Sequence, residues 1–384
     1  VVRKQSTAET NKIQPGSAAK SAASRRSATS RKRHAPTIRD VAALANVSIA
    51  TVSNVLDAKD TLYAPSTAEK VLAAVKTLGY RPNHSARSLV RRRTHTLGFA
   101  AHWRADLFNN FYLSRILSGF LDYARHHDYQ IKIIYIDEQE AERSMARLAD
   151  GSVDGIALLT LTDDSPFTKW AENSWLPTVS VGNLVEAPLS YVGVDDFTPF
   201  YEATQWLLEL GHRRIGLIGG PLQQRSARDR ERAYRQAMTD AGLNPAKSWV
   251  FAGHEYVPLA GHKGAQQLLK VEPALTAFMC GSDLIAMGAL EALRDADKRV
   301  PEDVSLIGFD DINEACLTQP PLTTIRQPIV EIGAKAAEVL LNQIVNEGRD
   351  PVRIAFPGTL IKRASVATIK KSTSAGINSF KTAE

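Results

Sequence analysis

Apolar positions follow three different rhythms along this chain. Residues 1–35 have none; they interleave Ser, Ala and Thr with basic residues and read as a low-complexity, disordered tail. A helical period begins at Pro36. Ile38, Val41, Ala42, Leu44 and Ala45 recur at helical spacing behind a Thr37-x-x-Asp40 capping signal, and Asn46 suits the left-handed turn that ends a helix. Ser48 caps a second helix, with Val52, Val55 and Leu56 on one stripe. A third is predicted to start at Ser66, with Glu69 completing a second capping box, to turn Val71, Leu72, Val75 and Leu78 inward, and to end at Gly79. Three short helices, the first two joined by a three-residue turn, form a helix-turn-helix pattern. Pro82 then stops the third helix, and Asn83 can cap a short polar segment with only Leu89 and Val90 as larger apolar groups. So short a helix is marginal in isolation.

From Thr96 the rhythm changes to apolar runs alternating with helices. "TLGFAA", "IKIIYI", "GIALLTL", "PTVSVG", "RIGLIGG", "SWVFAG", "TAFMCG" and "VSLIGF" read as strands. Leu113–His126, Phe200–Leu210, Asp229–Ala241 and Leu284–Asp295 read as helices between them. This alternation predicts parallel sheets with right-handed crossovers. About eight strands are too many for one small sheet, so two similar α/β lobes are expected. The end, "STSAGINSFKTAE", is polar and loose.

Charge divides the chain in the same place. Residues 1–96 carry 18 Lys+Arg against 5 Asp+Glu, a net of +13, and residues 97–384 carry 29 against 36, a net of −7. A basic front on an acidic body points to a polyanionic partner for the front. A solubilising basic tail would account for residues 1–35, but not for the helical patterning after them. The two cysteines, Cys280 and Cys316, lack metal or disulfide spacing and fit a reducing, cytosolic compartment. No apolar run approaches a membrane span, and the N-terminus has no secretory h-region. "GLIGGP" lacks the dinucleotide spacing, and no Gly-x-Ser-x-Gly, Walker loop or His/carboxylate metal spacing appears, so neither an enzyme nor a cofactor is expected.

The candidate chemistry of the front lies on the second helix. At about 100° per residue, Ile49, Ala50, Ser53 and Asn54 share one face while Val52, Val55 and Leu56 take the other. The outward face is small enough to approach the floor of a DNA major groove, and the amides of the helix N-terminus favour phosphate. Asn54 can pair with adenine N6/N7, and Ile49 and Ala50 offer apolar surface to a thymine methyl. A three-helix piece of an ordinary core is the competing reading of this pattern alone.

Four stretches favour the first reading. "TIRDVAALANVSIATVSNVL", "GYRPNHSARSLVRRRTHTLGF", "VSLIGFDD" and "PPLTTIRQP" closely resemble the reading unit, hinge and late body signatures of the lactose-repressor (LacI/GalR) family of bacterial transcription regulators. The resemblance runs from Pro36 to Ile369. It implies an all-α helix-turn-helix DNA-binding domain followed by a two-lobe, periplasmic-binding-protein-like α/β effector domain. The implied boundaries are 36–82 for the reader, 83–95 for hinge helix and linker, and 96–369 for the effector and dimerisation domain. The two lobes would span roughly 96–195 plus 325–355 and 196–324 plus 356–369, with a loose tail over 370–384. The implied partners are near-palindromic operator DNA, a small-molecule effector of the sugar type and a second copy of the chain, with no membrane. The implied DNA-facing set is Thr37, Ser48, Ile49, Ala50, Thr51, Ser53 and Asn54, with Asn83, Ala86, Arg87, Ser88 and Leu89 in the hinge. Leu89 matches the residue that wedges into the central base step, although a plain hinge–hinge contact is the simpler role. Arg91–Arg93 are phosphate contacts or a solvated charge run.

The positions matching effector contacts are Phe111, Tyr112, Ser226, Arg230, Tyr256, Ser282, Asp283, Asp310 and Gln327. Arginine, carboxylates, amides and aromatics suit hydroxyls on an apolar ring, as in a sugar. Asp283 is the most doubtful, because an Asp after a strand often only caps the next helix. Gly182 departs from the pattern: the family often has Asp there, so a purine or a phosphorylated or acidic ligand, favoured by Trp103–Arg104, stays open. A secreted solute-binding protein would fit the body but leaves residues 36–93 unexplained.

Overall fold

The computed structural model describes residues 35–58, 60–81, 93–102, 110–346 and 350–369. The expectations for both tails, for Asn83, Ala86, Arg87, Ser88, Leu89 and Arg91, and for Trp103–Arg104 lie outside the described residues. The chain divides into two compact units at residues 83 and 84.

The first unit holds α1 (Ile38–Ala45), α2 (Ile49–Leu56) and α3 (Pro65–Leu78). The α1 cap forms as expected: the Asp40 carboxylate accepts the Thr37 backbone N–H at 2.7 Å and its hydroxyl at 2.8 Å. Asn46 ends α1 at φ 54° and ψ 49°, and Gly79 ends α3 at φ 62°. Two expectations for α3 are corrected. It starts at Pro65 with Ala64 as cap, so Ser66 lies inside the first turn and makes no capping box. A proline's fixed φ and missing N–H suit the first helical position, and that preference overrides the serine. Leu72 is 54% exposed, and Ala74 takes the core position instead. The inward stripe therefore runs through Val71, Ala74, Val75 and Leu78 and packs on Val41, Ala45, Val52 and Val55.

The second unit contains two six-stranded sheets. In the first, β1 (Thr96–His102), β2 (Gln130–Ile136), β3 (Gly155–Leu159), β4 (Thr178–Val181), β5 (Ser190–Val194) and β11 (Arg353–Phe356) lie in the order β11-β5-β4-β3-β1-β2, all parallel. In the second, β6 (Ile215–Gly219), β7 (Val250–Ala252), β8 (Ala277–Cys280), β9 (Ser305–Asp310), β10 (Thr323–Arg326) and β12 (Thr359–Ile361) lie in the order β12-β10-β9-β8-β6-β7. Only β12 is antiparallel to its neighbour. Every residue of β3, β4 and β5 is buried, as a parallel sheet covered on both faces requires.

The covering helices are α4 (Phe111–His126), α5 (Ala141–Leu148), α6 (Pro166–Asn173), α7 (Thr198–Glu209), α8 (Arg225–Asp240), α9 (Pro258–Val271), α10 (Asp283–Asp295) and α11 (Ile329–Asn346). Each lobe contains a helix pair in backbone contact. Gly119 and Gly333 let α4 and α11 touch, and Gly261 and Gly288 do so for α9 and α10; a Cβ at any of the four would collide with a carbonyl of the opposing helix.

All eight strands read from the sequence form. Four more, β5, β10, β11 and β12, were not expected. They are short, and "RIAF" and "TLI" are half-exposed, so they lack the continuous apolar run that marks the others. These four carry the chain between sheets: after β5, after β10, and from β11 to β12. The chain enters the first lobe through fixed contacts. Arg93 donates to the Ile344 carbonyl at 3.1 Å, and the Asp154 carboxylate accepts the backbone N–H groups of Thr94 and His95.

Candidate reading helix and ligand cleft

On α2 the side chains sort by face. Val52 and Val55 are buried, Ile49 is 45% exposed, Ala50 is exposed, and Thr51, Ser53 and Asn54 are half-buried. Ser48 accepts the Thr51 N–H at 3.0 Å and shares a 2.9 Å hydrogen bond with the Thr51 hydroxyl, so the helix begins at the residues proposed to read. Thr37 is exposed at the start of α1.

In the second unit a cavity of about 330 Å³ opens between the lobes. The start of α4, the ends of β3 and β4, the start of α8, the loop after β7 and the end of β9 all face it. It therefore lies outside the carboxyl ends of parallel strands, where open α/β sheets place their ligands. Seven of the nine predicted effector residues line it: Phe111, Tyr112, Ser226, Arg230, Tyr256, Asp310 and Gln327. Ser282 and Asp283 do not. Ser282 caps α10 by accepting the Ile285 N–H at 3.1 Å. Asp283 is fully buried and accepts from the Ile312 N–H at 2.9 Å and the Thr324 hydroxyl at 2.5 Å, tying β10 and the loop after β9 to α10. Its doubtful standing in the sequence is explained by this structural work.

Arg230 is the centre of the cleft. It is 7% exposed, and its Nε and Nη2 donate to Asp196 Oδ1 at 2.9 and 2.6 Å. Nη1 donates to the Gly281 carbonyl. The Phe309 ring covers the guanidinium at 3.6 Å, and the Tyr256 ring stands at 5.8 Å. Burial opposes the arginine's charge, but Asp196 outweighs it and holds the group protonated. Asp196 itself is raised by burial, against the pull of Arg230. Sequence reading missed Asp196. A signal was present in the doubled Asp of "VGVDDF": Asp195 caps α7, accepting from Phe197 and Thr198, which leaves the second carboxylate free to pair with Arg230 behind the cleft.

Asp310 ends β9 with φ 120°, and the next residue, Asp311, has φ 57°. Asp311 is held by Arg326 at 2.6 Å and Arg363 at 2.5 Å, so the surrounding ion pairs sustain this uncommon backbone. Asp310 accepts from Gln327 Nε2 at 2.6 Å, and burial pushes its carboxyl up to about 7, with Arg230 opposing. The native state therefore binds a proton that the unfolded chain has already released above the ordinary carboxylate range. Stability from this group is present at low pH and is lost as pH rises toward about 7. Asp310→Asn is expected to flatten that decline in urea unfolding between pH 4.5 and 7.5; an unchanged pH profile would contradict the assignment.

Two buried polar atoms of the cleft, the Tyr256 hydroxyl and Gln327 Oε1, have no hydrogen-bond partner among the described residues. Ser226 stands beside Tyr256, short of normal hydrogen-bond geometry. Gly182 has φ 82°, and the Tyr112 hydroxyl fills the space that a Cβ would occupy. Burial, then Asp196 and Asp310, raise that phenol. Among the described residues, hydrogen bonds cross the cleft from Ser226 N–H to Asn183 Oδ1 at 3.1 Å, from Arg228 to Asp163 at 3.3 Å, and from Arg115 to Asn313 at 3.5 Å. Among the described residues no His, Cys, Asp and Glu group is arranged to hold a metal, and no helix is long and apolar enough to cross a membrane.

A helix-turn-helix unit and a two-lobed binding fold in one chain define a DNA-binding transcriptional regulator with a ligand-binding domain. Residues 37–83 match the model of the bacterial regulatory proteins of the lacI family, and residues 204–366 match a periplasmic binding protein-like domain. The HTH-type transcriptional regulator CelR of Thermobifida fusca is 35% identical over 339 residues, covering 87% of this chain and 99% of CelR. The HTH-type transcriptional repressor PurR of Shigella dysenteriae serotype 1 is 35% identical over 338 residues, covering 86% and 97%. Among solved structures, the CelR–cellobiose complex superposes with a TM-score of 0.68 at 33% identity, covering 86% of this chain and 99% of that one. The Lac repressor dimer bound to operator and the anti-inducer ONPF superposes at 0.77 and 25% identity, covering 87% and 100%. The chain belongs to the LacI family of bacterial transcriptional regulators.

Proposed function

We propose that this regulator is a repressor, not an enzyme, and that a sugar or sugar derivative bound between the lobes controls its operator affinity. The observation that carries the ligand class is the cleft itself. Phe111, Tyr112 and Tyr256 supply ring faces, while Arg230, Asp310 and Gln327 converge as donors and acceptors, the combination that suits hydroxyls on an apolar ring. The cellobiose in the CelR complex supports the same class. Ligand binding shifts the lobe angle, and with it the spacing of the segment leading to the reader. The active form is a cytoplasmic homodimer on near-palindromic DNA, in keeping with the Lac repressor dimer on its operator.

A thermal-shift panel of neutral sugars, sugar phosphates and purines, followed by gel shifts on a selected operator, tests this. Stabilisation by a sugar that also changes operator affinity is the expected result. Stabilisation by purines alone would overturn the sugar reading. On the DNA side, Ile49, Ala50 and Asn54 set the preference, with Thr37 at the start of α1 and Ser48, Thr51 and Ser53 on α2 or its cap. Asn54→Ala is expected to relax selection at one base pair per half-site, at about 1–3 kcal/mol of discrimination. An unchanged selected sequence would remove Asn54 from the reading set.

A further inference from the structure

We propose that Asp196 sets the charge class of the ligand: by occupying the two-pronged edge of Arg230, it makes the cleft admit uncharged hydroxylated molecules and reject anions. This rests on reading the cleft as a sugar site, and it assigns a specificity role to a residue that only the structure brings to Arg230.

Arginine recognises carboxylates and phosphates through parallel N–H groups presented in a planar fork. In this cleft the Nε/Nη2 edge is filled, with both groups bonded to the same oxygen of Asp196. Nη1 is bonded to the Gly281 carbonyl, and one face lies under Phe309. An incoming anion would find that edge taken and the guanidinium's charge already balanced by a buried carboxylate. It would also require the Asp310 carboxyl on the same wall, which burial already favours in its neutral form, to keep its proton, because low dielectric strengthens like-charge repulsion. At the exposed mouth His254 and Glu255 adjoin, so among the described lining residues no surplus of positive side chains offsets this.

A hydroxyl meets no such obstacle. It can accept from an Arg230 N–H not used by Asp196 or Gly281 and donate to Asp310. The Tyr256 hydroxyl and Gln327 Oε1, buried without partners among the described residues, complete a set that neutral donors and acceptors satisfy. The crossover after β5 thus supplies the counter-charge that an anionic ligand would otherwise provide.

The test uses the full-length chain and three probes: cellobiose, glucose 6-phosphate and sulfate. Calorimetry and thermal melting are run at constant ionic strength on the wild type, Asp196→Asn and Asp196→Asn/Arg230→Gln. The wild type is expected to ignore sulfate and glucose 6-phosphate. Asp196→Asn should gain at least tenfold affinity for one or both, with a sulfate-dependent rise in melting temperature absent from the wild type. The double variant, with neither charge, should lose that gain. The proposal is overturned if the wild type binds glucose 6-phosphate as tightly as neutral sugars, or if folded Asp196→Asn keeps the wild-type response to anions. The wild-type comparison decides the matter even if Asp196→Asn folds only with sulfate present, and such rescue is itself a supporting result. If cellobiose and other neutral sugars fail to bind while Asp196→Asn gains sulfate, the sugar reading falls and the control of charge by Asp196 stands.

Discussion

Arg230→Ala is expected to destabilise the ligand-binding unit by about 3–5 kcal/mol and to abolish any effector response. The loss comes mainly from what the substitution leaves behind. Asp196, 8% exposed, would keep a buried carboxylate with no counter-charge. The Gly281 carbonyl would lose its donor, and the faces of Phe309 and Tyr256 would border a void. Arg230→Lys should not restore function, because an ammonium cannot present two N–H groups to Asp196 while donating to Gly281 and lying flat under Phe309. Urea unfolding near neutral pH, paired with effector titration, checks both parts. A loss below about 1 kcal/mol would show that water, and not Arg230, satisfies Asp196 in solution.

Gly333→Val carries the second large expectation, a loss of about 3 kcal/mol or more, confined to the first lobe. A Cβ at Gly333 meets the Ile116 carbonyl oxygen inside van der Waals contact, and the Phe120 nitrogen lies 3.0 Å away. These atoms belong to the backbone of α4, so no rotamer change relieves the clash, and the two helices must move apart. Gly288→Val, which meets the Pro258 carbonyl across the other helix pair, should cost as much in the second lobe. Thermal unfolding of both variants tests the paired arrangement. A near-native melting temperature for either would mean that the helices it joins are not in backbone contact.

Much of the fold was legible because local rules governed it. The Thr37–Asp40 box, the Asn46 and Gly79 ends and the Ser48 cap depend on residues within one turn of each other. The eight apolar strands announced themselves by apolar runs alternating with helical stretches. Reading failed where a stronger local preference competed, as when Pro65 displaced Ser66, or where the signal was weak. β5, β10, β11 and β12 are three to five residues long, and the last two are half-exposed. They nevertheless decide the connectivity, because they carry the three passages between lobes.

The cleft was legible in part. Phe111, Tyr112, Ser226, Arg230, Tyr256, Asp310 and Gln327 converge from positions spread over more than two hundred residues. Ser282 and Asp283, adjacent in sequence to that pattern, turn into caps and ties instead. The doubled Asp at 195 and 196 hinted at a carboxylate beyond the helix cap, but only the fold shows that Asp196 is the one paired with Arg230.

By itself, the sequence determined the order of units, the reading helix with its inward and outward faces, and the alternation that makes two parallel sheets. Each of these follows from periodicity, capping chemistry or charge within a short window. The tertiary structure alone decided which of two consecutive aspartates pairs with Arg230, which glycines bring helices into backbone contact, and that the Tyr112 hydroxyl fills the space beside Gly182. These depend on approaches between segments far apart in the chain, where burial and close packing select the partner and local sequence carries no record of the choice.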